Sequence, residues 1–83
     1  MYEVRSDPVV DAAVEALTPA GLRELAEIRV ALELAPWGVG RPYVTAHPER
    51  GMRAVDFAAG DAVLVFAILD RDRWVDLLQL IVL

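Results

Sequence analysis

Eighty-three residues are enough for one hydrophobic core and not for two, so residues 1–83 read as a single domain. Thirteen acidic residues against eight arginines and no lysine give a formal charge of −5, which disfavours a general attraction to nucleic-acid phosphates and makes any contact with RNA or a ribosome a local one. The absence of cysteine excludes a disulfide framework and a cysteine-based metal site, as suits a reducing cytoplasm, the expected location.

Hydrophobic residues make up 57% of the chain and the mean hydropathy is +0.41, a high value for a small domain with a large surface-to-volume ratio. Part of that apolar surface is expected to meet a partner. No charged start, apolar stretch and small-residue cleavage site occur in sequence, so no secretory signal is expected and the mature chain is expected to start at Met1. The longest nearly uncharged stretch, Ala62 to Leu69, falls far short of the roughly 20 residues of a membrane-spanning helix, and no membrane role is expected.

Tyr2 and Val4 alternate with Glu3 and Arg5, the period of a short first strand. Asp7-Pro8 is a helix start, because the carboxylate caps free backbone N–H groups and proline suits the first helical position; a first helix is predicted from about Pro8 to Leu17. Thr18-Pro19 repeats the device and opens a second helix to about Leu34, with Leu22, Leu25, Ala26, Ile28 and Leu32 near one face. Ala35-Pro36-Trp37-Gly38-Val39-Gly40-Arg41-Pro42 ends it, and the segment from there to Gly51 has no clear period and reads as one long loop, a length more often functional than slack. Met52–Ala58 alternates weakly, Ala59-Gly60-Asp61 supplies a turn, and Ala62–Leu69 is apolar at nearly every position, as in a central strand. Asp70-Arg71-Asp72-Arg73 reads as a charged turn before a last strand, Trp74–Leu83. The fold class is therefore α+β, in the order β-α-α-β-β-β, with a two-helix hairpin packed on one face of a mostly antiparallel four-stranded sheet.

That order, with Tyr2-Glu3-Val4-Arg5, the helical hairpin, the Pro36-Trp37-Gly38 to Tyr43 connection and the closing meander, resembles the RelE/ParE toxin superfamily over essentially the whole chain. The stretch Leu32-Glu33-Leu34-Ala35-Pro36-Trp37 with Arg41-Pro42-Tyr43 is similar to its small actinobacterial members. The resemblance implies a RelE-like fold and a type II toxin–antitoxin-like system. In RelE-type members it implies an endoribonuclease that cuts messenger RNA in the ribosome with basic residues on the open face of the sheet and near the C-terminus. This sequence departs from that pattern. It has Ala54 and Asp56 where such enzymes alternate basic residues on the second strand, Val63 where the third strand carries an arginine, and no basic or tyrosine-bearing tail at Leu83. A ParE-type action on gyrase is a further possibility that no residue distinguishes.

Metal-independent RNA cleavage needs a base for the 2′-hydroxyl, an acid for the leaving oxygen and a cation for the phosphate. His47, Glu49, Arg50 and Arg53 are of those types, and Arg41 and Tyr43 add a phosphate contact and a stacking platform. A polar surface loop contains the same residues by composition alone, so the catalytic assignment stays open. His47 is the single histidine and stands beside a proline, a solvated setting, and Asp70 and Asp72 read as turn formers; neither a metal nor a cofactor is expected. Trp37 and Trp74 suit core packing and interface anchoring equally.

The last strand is apolar on both faces, and helices cover only one. Ala54, Val63, Val65, Leu78, Leu80 and Val82 are accordingly expected to form a partner interface on the uncovered face, for a homodimer or an antitoxin-like protein, unless loop 36–51 folds over it.

Overall fold

The computed structural model describes residues 1–43 and 51–83. In chain order they form β1 (Glu3–Ser6), α1 (Pro8–Ala13), α2 (Pro19–Leu34), β2 (Arg41–Pro42), β3 (Met52–Phe57), β4 (Ala62–Leu69) and β5 (Trp74–Val82), with 3-10 turns at Val14–Ala16, Pro36–Gly38, Ala58–Gly60 and Asp70–Asp72. Both helix starts are built as the sequence implies. Asp7 accepts a hydrogen bond from the Val9 N–H at 2.9 Å and Thr18 Oγ1 accepts one from the Gly21 N–H at 3.1 Å, each followed by proline at the first helical position. The first helix is shorter than expected: the α-helical part ends at Ala13 and the rest tightens into the 3-10 turn before Leu17 turns extended.

The sheet has five strands rather than four, in the order β1-β5-β4-β3-β2. The two helices carry the chain from β1 at one edge to β2 at the other, the meander returns β5 to lie parallel beside β1, and every other pair is antiparallel. The extra strand, β2, is two residues long and bordered by glycine and proline, so no alternation marks it in the sequence. It forms because Gly40 approaches β3 closely: its φ is +67°, and a Cβ there would stand 2.1 Å from the Ala54 carbonyl oxygen. Pro42, with no N–H to donate, sits on this edge strand.

The helices cover one face. Val10, Leu25 and Leu32 pack there with Phe57, Leu64, Phe66, Val75 and Leu77, and Val4, Val55 and Ile28 fill in around them. Full burial of a side chain of this size stabilises by about 1.5–3 kcal/mol, so these contacts supply most of what holds the layers together.

A bulge in β5 decides which residues belong to that face. Phe66 pairs with Leu77, but the preceding β4 residue, Val65, pairs with Gln79, so Leu78 is the extra residue and the alternation of β5 changes sign there. Val75, Leu77, Leu80 and Val82 thus point to the helices, while Trp74, Asp76, Gln79 and Ile81 point the other way. The expectation that Leu78, Leu80 and Val82 share the open face is corrected on this point: Leu80 is part of the core, Val82 packs against it, and Leu78 occupies the bulge.

Candidate functional site

The open face is built from alternate residues of all five strands. Arg5 comes from β1, Trp74, Asp76, Gln79 and Ile81 from β5, Val63, Val65, Ala67 and Leu69 from β4, Met52, Ala54 and Asp56 from β3, and Arg41 from β2. Its margins are charged and its middle is apolar. Ala54 and Val65, which the register places opposite each other, are only 1% and 3% exposed, and Val63 is half-buried. The apolar centre exists where the sequence puts it, but two of its members are already shielded from water and do not form a bare patch.

On the β1 side, Arg5 Nε donates to Asp76 Oδ1 at 2.8 Å and Nη2 donates to Oδ2 at 3.1 Å, while the guanidinium lies 3.8 Å from the centroid of the Trp74 ring. The planar fork of arginine serves both contacts at once. Asp76, accepting both hydrogen bonds, raises the pKa of Arg5 above its ordinary value, so the cation is secure. A shallow hollow of about 370 Å³ lies beside this pair, lined by Ser6, Asp7, Pro8, Leu77 and the bulge residue Leu78 as well as the pair itself. On the β2 side, Arg41 Nη1 donates to Asp56 Oδ1 at 3.1 Å, and both side chains are largely exposed.

Arg53 behaves differently from the sequence expectation. It is buried, and its Nε and Nη2 donate to the carbonyl oxygens of Val39 and Gly40, each at 2.9 Å. The side chain clamps the backbone that leads into β2, and its fork satisfies two carbonyls that no strand pairing reaches. A guanidinium committed to backbone in this way is not presented to a phosphate. Tyr43 is half-exposed next to Arg41, with its N–H bonded to the Met52 carbonyl at 2.8 Å. His47, Glu49 and Arg50 lie outside the described residues. Arg41, Tyr43 and Arg53 therefore come from one side of the sheet, with Arg41 and Tyr43 exposed and Arg53 buried.

Sequence reasoning missed the part played by Asp70. Its carboxylate accepts a hydrogen bond from Trp37 Nε1 at 3.0 Å and another from the Tyr2 hydroxyl, and Arg73 lies 5.2 Å from the Tyr2 ring centroid. One turn residue thus joins the N-terminal strand, the turn after α2 and the β4–β5 connection. The Trp37 N–H, and then the Tyr2 hydroxyl, hold the Asp70 carboxyl below the usual carboxylate range, and the same hydrogen bond to Asp70 pushes the Tyr2 phenol up. Nothing in residues 70–73 alone signals this, since the partners stand 33 and 68 positions away. Among the described residues no three histidine or acidic side chains come together as a metal would require, and no helix is long and apolar enough to cross a membrane.

No family model matches the sequence, and no curated protein matches it. The crystal structure of an archaeal RelE–RelB complex from Pyrococcus horikoshii OT3 is similar to this one, with a TM-score of 0.69 and 19% sequence identity over 98% of this chain and 93% of that one. Helices on one face of a mixed sheet, joined in this order across nearly the full length of both chains, give this protein the RelE toxin fold.

Proposed function

We propose that this protein is the toxin-fold member of a toxin–antitoxin-like pair and acts by binding an antitoxin-like protein, without cutting RNA. The observation that carries the reading is the state of the sheet arginines: Arg5 is held by Asp76 and Trp74, Arg41 by Asp56, and Arg53 by the Val39 and Gly40 carbonyls. Phosphoryl chemistry depends on cations aimed at a developing charge, and these three are aimed at the protein's own acceptors. By register Glu3, Asp56 and Asp76 put three carboxylates on the open face against the two arginines Arg5 and Arg41, a balance that disfavours a phosphate backbone. The similar archaeal protein is seen in complex with RelB, which supports a protein partner of that kind.

Co-expression with the product of the adjacent gene tests the reading. A complex of fixed stoichiometry that survives gel filtration is the expected result. Separate elution of the two proteins at high micromolar concentration contradicts it.

A ribonuclease is the alternative, and one observation favours it. Arg41 and the half-exposed Tyr43 stand together at the β2 edge, a cation beside a stacking surface, next to the segment that carries His47, Glu49 and Arg50. On that reading induction of the protein arrests growth, and an Arg41→Ala, Tyr43→Ala double variant relieves the arrest while accumulating to the same level.

A further inference from the structure

The turn between β3 and β4 runs against the conformational preference of its own residues. Ala58 and Ala59 both have a φ of +55°, and Gly60 follows at +89°. Only the third of these is glycine. In this left-handed region the Cβ of an L-residue is crowded by the backbone, and two adjacent alanines incur that cost twice. The strands do not force the strain: their pairing closes at Phe57 with Ala62, and a connection of this length is commonly built around a right-handed type I turn.

What holds the turn is a side chain from another element. Glu24, half-buried on α2, accepts a hydrogen bond from the N–H of Ala58, the first left-handed residue, 34 positions away in the chain. The Asp61 N–H donates to the Ala58 carbonyl at 3.0 Å, and the Asp61 carbonyl accepts from the Leu83 N–H at 2.8 Å. One carboxylate thus joins α2, the turn and the end of β5 in series. A hydrogen bond to a charged acceptor contributes about as much as two alanines lose in the left-handed region, so restraint and strain are nearly balanced. Backbone held this far from its preference persists only while its surroundings over-determine it.

We infer that the contact between Glu24 and Ala58 is a latch on a two-state turn. When the latch opens, the turn relaxes to right-handed geometry and releases the end of β5. The wall between two hollows goes with it. On one side lies a hollow of about 310 Å³ against Leu17 and Val82, and on the other a groove along Ile28 and Val55; Glu24, Ala58 and Ala59 line both. The open state has a single, largely apolar cleft between α2 and this end of the sheet. The device is separate from the sheet arginines, and the inference does not depend on the partner proposed above.

Amide hydrogen exchange of the full chain, followed by NMR and corrected for intrinsic rates, tests it. In the wild type the Asp61 and Leu83 amides are expected to exchange through one local opening, at least about a hundredfold faster than Phe66 in the middle of β4. Glu24→Ala speeds both about tenfold or more, although Glu24 touches neither, and Glu24→Gln, which keeps an acceptor without the charge, falls between. Adding Ala58→Gly and Ala59→Gly to Glu24→Ala returns both to within about threefold of the wild type, because glycine removes what drives the turn open. A Leu83 amide that ignores Glu24→Ala overturns the inference, since the end of β5 then frays by itself. Exchange of Asp61 and Leu83 only together with Phe66, or no slowing by the two glycines, overturns it as well.

Discussion

The two faces of the sheet are held by different physics. Under the helices, Phe66, Leu64, Leu77 and Val75 are almost wholly excluded from water, and each touches elements distant in sequence. On the open face the margins are joined by exposed or half-exposed pairs, Arg5 with Asp76 and Arg41 with Asp56, whose energies are small because water screens them. Stability is concentrated on one side, so the composition of the other is free to follow function. In this protein the free side carries neutralised arginines and an apolar middle.

Substitutions on the two faces should therefore separate sharply. Phe66→Ala is expected to cost about 3–5 kcal/mol in a urea titration, through lost burial and the cavity left behind. Val82→Asp comes next, at about 2–4 kcal/mol, because the bulge turns it toward the core, whereas Ile81→Asp beside it changes stability by about 0.5 kcal/mol or less. Equal effects at 81 and 82 would show that the bulge at Leu78 is misplaced.

The Asp70 junction predicts a smaller effect that depends on pH. Its carboxyl has a lower pKa folded than unfolded, so its contribution is complete above the unfolded value of about 3.9 and disappears as pH falls through the folded one. Tyr2 has the opposite sign: its raised pKa gives a contribution complete below about 10 and lost as pH rises through the folded value. Asp70→Asn should accordingly flatten the acid limb of urea midpoints measured between pH 5 and 2, and an unchanged limb would remove the junction from the account. Arg41→Ala is the smallest case, with an expected loss of about 0–1 kcal/mol.

Much of the fold was legible because its signals are local. Asp7-Pro8 and Thr18-Pro19 mark helix starts within two residues, and the apolar run Ala62–Leu69 marks the central strand without reference to anything else. What escaped depends on register between distant segments. β2 exists because Gly40 fits under the Ala54 carbonyl, and the face of Leu80 and Val82 depends on one extra residue at Leu78. The candidate site suffered most from this, since Arg53 reads as a free cation in the sequence and is a backbone clamp in the fold. Ala54, Val63 and Val65 share the open face because the alternation of β3 and β4 is unbroken.

Whether Arg5, Arg41 and Arg53 serve the protein's own structure and not RNA cleavage can be read by incubating the purified chain with translating ribosomes and mapping the ends of the messenger RNA by primer extension. No cleavage above background is expected at a protein-to-ribosome ratio of about one. Cleavage at defined codons that Arg41→Ala abolishes, in a variant that remains folded, would contradict it.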